Sequence, residues 1–124
     1  MKMGVGNNMN QRIREQFCQE SKNLLDNRMK QNAKKNKCGF PGRLKHAVKI
    51  FEICYWLNAH GKSFYTEAVF KNGSRADIFV LDERVAIEVM ASENEKSIES
   101  KRKRYPCRIL GIRIDEEWKE ELIL

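Results

Sequence analysis

Long apolar runs are missing from this chain of 124 residues. None approaches the roughly 18 residues that span a bilayer, so no membrane segment is expected. The opening stretch, Met1 to Gln11, has no apolar h-region of the kind that marks a secretory signal. Metal-knuckle spacing is absent too. Cys18, Cys38, Cys54 and Cys107 contain no CxxC pair, which argues against a structural zinc site. Free thiols in a reducing compartment are the expectation, hence a cytoplasmic protein, or one of the host-cell cytoplasm if it is viral. Internal repeats and low-complexity segments are also lacking.

Acidic residues are scarce in one half only. Residues 1–50 hold 12 basic residues against Glu15, Glu20 and Asp26, whereas residues 51–124 are close to balanced. The whole chain carries +7. A basic half joined to a balanced half points to a polyanionic partner, most often nucleic acid. At 41% hydrophobic and 33% charged residues the chain is polar, yet it can build one modest core.

The apolar positions Met9, Ile13, Phe17, Leu24 and Met29 recur near helical spacing, widened by Cys18 and Leu25. They predict one long or two shorter basic helices between Met9 and about Lys35. Gly39, Pro41 and Gly42 then punctuate the chain. We place a linker there, with residues 1–42 as a helical extension and 43–124 as the main domain.

From Arg43 to His60 the pattern is firmly helical. It is apolar on both sides, with Leu44, Ala47, Val48, Phe51, Cys54, Tyr55 and Asn58 along one and Ile50, Ile53, Trp56 and Leu57 on the other. Such a helix is expected to be packed on both sides, and Gly61 stops it. Three strands follow: Ser63–Phe70, Ala76–Leu81 and Arg84–Met90. They are joined by the hairpin signal Asn72-Gly73 and by a two-residue turn at Asp82-Glu83. A helix from Ser92 to about Arg104, a fourth strand from Cys107 to Ile114 and a short helix capped by Asp115 complete the reading. The first three strands form an antiparallel meander, and the helical crossover sets the fourth parallel to its neighbour. The class is α/β.

Two acids interrupt otherwise apolar strands, Asp77 in RADIFVL and Glu88 in VAIEVM. A register symmetric about Asp82-Glu83 sets them directly opposite one another. Facing carboxylates repel, and a divalent cation is the economical offset. The same argument about the Asn-Gly turn sets Glu67 opposite Ile78. Glu67 is then near the pair, and a one-residue bulge is needed to bring it round. The ordinary alternatives are local pairs: Asp77 with Arg75, and Glu88 with Lys101 or Arg84.

This order of elements, with Asp and then Glu on successive strands, resembles the core of the PD-(D/E)XK nuclease superfamily, whose members include junction resolvases and many restriction enzymes. The resemblance covers residues 43–114. Arg75-Ala-Asp77 stands where the family has Pro-Asp, and Glu88-Val89-Met90 where it has Glu-x-Lys. Glu67 matches a first-strand acid of some branches. Leu44-Lys-His46 and Arg104-Tyr105 resemble helix-borne features of competence-associated, nuclease-like members.

The resemblance implies a restriction-endonuclease-like αβββαβ core with a mixed four-stranded sheet, and metal-dependent hydrolysis of phosphodiester bonds in DNA. Asp77, Glu88 and the Val89 carbonyl would hold Mg²⁺ or Mn²⁺, because oxygen-only ligation suits hard cations. Glu67 would assist, and His46 would be a supporting or acid-base group. Met90 departs from the pattern, since methionine cannot polarise water or stabilise phosphate charge as the family lysine does. Lys101 or Lys49, or else His46 or the metal itself, are the candidates to replace it.

Arg43, Lys45, Arg75, Lys101, Lys103 and Arg104 are the expected contacts to the nucleic-acid backbone, since no base-reading motif is present. A homodimer is implied by the junction-resolving relatives, with the apolar stripe of residues 9–29 as one contact. The alternative reading is a nuclease-fold protein that has lost catalysis and binds nucleic acid or plays a regulatory role. A coiled-coil assembly protein fits less well, because the N-terminal apolar spacing is too irregular for heptads.

Overall fold

The computed structural model describes residues 5–30, 36, 44–90 and 95–119. Its elements run α1 (Val5–Lys22), α2 (Asn27–Lys30), α3 (Leu44–Ala59), β1 (Phe64–Val69), β2 (Arg75–Val80), β3 (Val85–Met90), α4 (Glu95–Arg104) and β4 (Arg108–Arg113). The α/β class and the mixed sheet follow the sequence reading. The strands lie in the order β1-β2-β3-β4, with the first two pairings antiparallel and β3–β4 parallel.

Helices cover both faces of the sheet. On one, Ile50, Ile53, Cys54 and Leu57 of α3 pack with Phe64, Ile78, Val80, Val85, Ile87 and Ile112, and Trp118 closes that layer. On the other, Leu25, Met29, Ile98 and Tyr105 pack with Tyr65, Phe79, Leu81, Ala86 and Ile109. Leu25 and Met29, expected on a stripe awaiting a cover, are thus part of the core.

Local chemistry sets the boundaries. The N-terminal helical pattern resolves into two helices separated by a turn. There the Asp26 N–H donates to the Val69 carbonyl, and the Lys71 N–H donates to that of Leu24. These bonds, with Asn36 bonded to Phe64, cover the exposed edge of β1. α3 ends in a Schellman motif: the Lys62 N–H reaches the Leu57 carbonyl, the Gly61 N–H reaches that of Asn58, and Gly61 takes φ 68°.

Three expectations need correction. Among the described residues nothing covers Leu44, 78% exposed, or Tyr55, 68%, whereas Ala47 and Cys54, expected on the same face of α3, are buried. An apolar sequence face identifies a surface that favours a partner, not whether the same chain supplies one. The β2–β3 connection has four turn residues, Leu81–Arg84, rather than two. Residues 115–119 form no helix; Trp118 is buried beside Trp56 from an irregular segment instead. Residues 120–124, Cys38 and the linker residues Gly39, Pro41 and Gly42 lie outside the described residues. Among the described residues, Cys18, Cys54 and Cys107 form no disulfide.

No described helix is long and apolar enough to cross a membrane.

α1 is tied to the β2–β3 turn by polar groups. Arg14 pairs with Asp82 and donates to the Gly61 carbonyl at 2.6 Å. The buried Ser21 hydroxyl donates to the Leu81 carbonyl at 2.8 Å and accepts from Arg84 Nε at 2.8 Å. Arg84 also lies over the Phe17 ring. Burial raises the Asp82 carboxyl, but its bonds with Arg14 and the Ser63 N–H outweigh this and hold it below the usual range.

Candidate active site at the parting of two strands

The β1–β2 hairpin turns through residues 71–73, with Gly73 at φ 90° and the Phe70 N–H bonded to the Ser74 carbonyl. A three-residue loop of this kind needs a left-handed residue at its end, which glycine supplies. Asn72 locks it by accepting from the Ser74 N–H and donating to the Arg104 carbonyl at the end of α4.

The loop moves the register by one position from the expected one. Thr66 pairs with Ile78 and Ala68 with Ala76, so Glu67 stands opposite Asp77. No extra residue is inserted, and the expected bulge is absent. Glu67 instead adopts φ 50°, where a non-glycine residue is uncommon and strained. The consequence is visible on both strands. Tyr65 and Ala68 pack on the same side of the sheet, as do Ala76 and Phe79, whereas strict alternation would separate each couple. The face therefore switches at Glu67 and Asp77 together.

One step further across the sheet, β2 and β3 part. Their pairing runs Val80↔Val85, Phe79↔Ala86, Ile78↔Ile87. The longer turn keeps the expected centre, so Asp77 and Glu88 come next in register. There each carboxylate accepts a backbone N–H from the other's strand. The Asp77 N–H donates to Glu88 Oε2 at 2.9 Å, and the Val89 N–H donates to Asp77 Oδ2 at 2.8 Å. The two acids are thus anchored by each other's strands.

Helices from both layers reach the pair. From α3, His46 Nε2 lies 3.4 Å from Asp77 Oδ2. From α4, Lys101 Nζ donates to Glu88 Oε1 at 2.6 Å. Tyr105, just past α4, is buried and its hydroxyl donates to the Arg75 carbonyl. Glu88 is only 4% exposed. Burial, and next the charge of Asp77, push its carboxyl above the usual range, while Lys101 and the Asp77 N–H oppose the rise. Burial and the Glu88 charge likewise raise the Tyr105 phenol. A buried carboxylate beside a second one is the electrostatic situation of a functional site rather than of a stabilising surface pair.

The structure brings together His46, Asp77, Glu88 and Lys101, and sets Glu67 in register with Asp77. Lys101 is the ordinary ion-pair partner expected for Glu88, and it is also one of the candidates to stand in for the lysine of the resembled motif. Lys49 is excluded from that role: it is buried elsewhere, donating to Glu52 and to the Glu116 carbonyl. Met90, partly buried, leans toward Ile98 and Gly111, where an added Cβ would lie 3.0 Å from its Cε.

Lys45, Arg75, Lys103 and Arg104 are exposed, and Arg43 lies outside the described residues. Tyr105 was missed as a site residue; the helix-end Arg-Tyr pair was its one signal.

Among the described residues no three His, Cys, Asp or Glu side chains group to hold a metal ion. The pair offers two carboxylates, with the Val89 carbonyl as the third oxygen of the expected set. Comparison of the chain with family models, with curated proteins and with solved structures finds no match.

Proposed function

We propose that the protein is a metal-dependent nuclease that hydrolyses phosphodiester bonds in DNA at the Asp77–Glu88 pair. One observation carries the reading: two carboxylates from adjacent strands converge where those strands part, each accepting a backbone N–H from the other's strand. A sheet that needed only stability would place apolar or neutral residues there.

The donor set fits a hard divalent cation. Both acids present oxygen, and burial, followed by the charge of Asp77, raises the Glu88 carboxyl. Asp77, Glu88 and the Val89 carbonyl would hold Mg²⁺ or Mn²⁺, with waters completing the shell. When bound, the ion supplies Lewis acidity and lowers the pKa of a water.

The chain's own residues do the rest. The Val89 N–H and His46 orient Asp77, and the Asp77 N–H orients Glu88. Lys101 brings a positive charge from α4 to the pair, where the family's strand lysine would otherwise supply it. That charge is suited to a scissile phosphate. Arg75, Lys103 and Arg104 offer backbone contacts beside it.

A second reading, binding without catalysis, draws on Met90. An inert side chain occupies the lysine position, and Lys101 already neutralises Glu88. Cleavage of labelled linear, single-stranded and branched DNA with Mg²⁺, Mn²⁺ or EDTA separates the two. Metal-dependent cutting by the wild type, lost in Asp77→Ala and Glu88→Ala, supports the nuclease. Retained binding with no cutting on any substrate refutes it and favours the second reading.

A further inference from the structure

The outer face of α3 carries four large apolar side chains that the described chain leaves in solvent. Leu44 is 78% exposed, Val48 55%, Phe51 50% and Tyr55 68%. Their spacing alternates four, three and four positions, which lines them up along one side of a helix. Phe51 and Tyr55 touch one another with ring centroids 6.3 Å apart. Beside them a groove of about 620 Å³ is lined by Leu44, Val48 and Ile114 together with the charged Lys45, Lys49, Glu52 and Asp115. A contiguous apolar stripe with an adjoining groove marks an interaction surface rather than a scatter of surface residues.

The charges beside the stripe say what fits it. Lys45 and Glu52 are both exposed and each directly follows a stripe residue, Leu44 and Phe51. When a second α3 lies antiparallel across the first, Val48 faces the partner's Phe51 and Leu44 faces the partner's Tyr55. In that arrangement the residues flanking the seam on the same side meet each other, so Lys45 comes beside the partner's Glu52. The two-fold axis repeats the pair, and two complementary ion pairs bracket the apolar seam. In a parallel arrangement the two copies of Lys45, and of Glu52, lie on opposite sides of the seam, so this ion pair does not form.

We propose that α3 is the homodimer interface of this protein, formed with a second copy in antiparallel orientation about the Val48–Phe51 layer. The stripe is self-complementary, as a two-fold contact requires. This reassigns Lys45 from nucleic-acid contact to the protein interface. It also moves the dimer contact from the N-terminal stripe, whose Leu25 and Met29 are buried in the core.

The test is sedimentation equilibrium on the full chain up to about 100 µM, a range that detects dissociation constants in the micromolar region. The proposal expects a dimer for the wild type. Val48→Glu/Phe51→Glu is expected to be a monomer with an unchanged circular dichroism spectrum, both side chains being half exposed. Lys45→Glu and Glu52→Lys should each weaken the dimer at least about tenfold, and the double exchange Lys45→Glu/Glu52→Lys should restore it. A wild-type monomer at the top concentration overturns the proposal. So does a dimer that survives Val48→Glu/Phe51→Glu. Failure of the double exchange to rescue the single variants overturns the antiparallel pairing.

Discussion

Replacing Lys101 with methionine removes the ammonium that lies 2.6 Å from Glu88 Oε1 and leaves the hydrocarbon stem in place. Glu88 is 4% exposed, so water cannot fully replace the lost donor. Its other oxygen keeps the Asp77 N–H. The loss is therefore one charge-assisted hydrogen bond to a buried group, about 1.5–3 kcal/mol at neutral pH. The sign with pH follows from the raised carboxyl. An acid whose folded pKa lies above its unfolded value makes folding less favourable above the folded pKa, and stability returns as pH falls through it. Without Lys101 the folded value rises further. The destabilisation should thus be largest at neutral pH and shrink in acid, as Glu88 takes up a proton. Urea denaturation of wild type and variant at neutral and at acid pH measures this. Glu88→Gln placed on the Lys101→Met background should recover much of the loss. A difference that is the same at both pH values, or below about 0.5 kcal/mol at neutral pH, would refute the claim that Lys101 compensates a buried charge.

Further expectations concern other parts of the molecule. Arg14→Ala should cost about 1–2 kcal/mol in urea denaturation, through loss of the Asp82 pair and the Gly61 carbonyl bond. Because the Asp82 carboxyl is depressed, its contribution is present above the ordinary aspartate range and lost as pH falls through the folded value. The gap between wild type and Arg14→Ala should therefore narrow in acid. Gly73→Ala should cost about 1 kcal/mol by the same assay, because φ 90° strains any residue with a Cβ. Asp77→Asn should raise the thermal midpoint while abolishing cleavage. It keeps an acceptor for the Val89 N–H and removes the charge that burdens Glu88. A lowered midpoint would contradict that account.

How much of the site the sequence discloses depends on what each placement rests on. The Asp77–Glu88 juxtaposition was legible because a hairpin register depends on the centre of its turn. The turn proved to be four residues rather than two, and the centre did not move. Glu67 was misplaced by one position for the converse reason. Asn-Gly favours a two-residue turn, yet Gly73 closes a three-residue loop, and that shifts the register. The face switch at Glu67 left no trace in the sequence, since nothing in a glutamate foretells φ 50°. Lys101 was named among several cations, but only the phase of α4 against β3 selects it. The outer face of α3 was correctly read as apolar. It was expected to be packed, because composition cannot show whether the same chain supplies a cover.

The central claim is that Asp77 and Glu88 together hold a divalent cation. Calorimetric titration of Mn²⁺ into the wild type and into Asp77→Asn, without nucleic acid, tests it most directly. The account predicts saturable binding by the wild type that is lost in the variant. Absence of wild-type binding, or equal binding by both proteins, would contradict it.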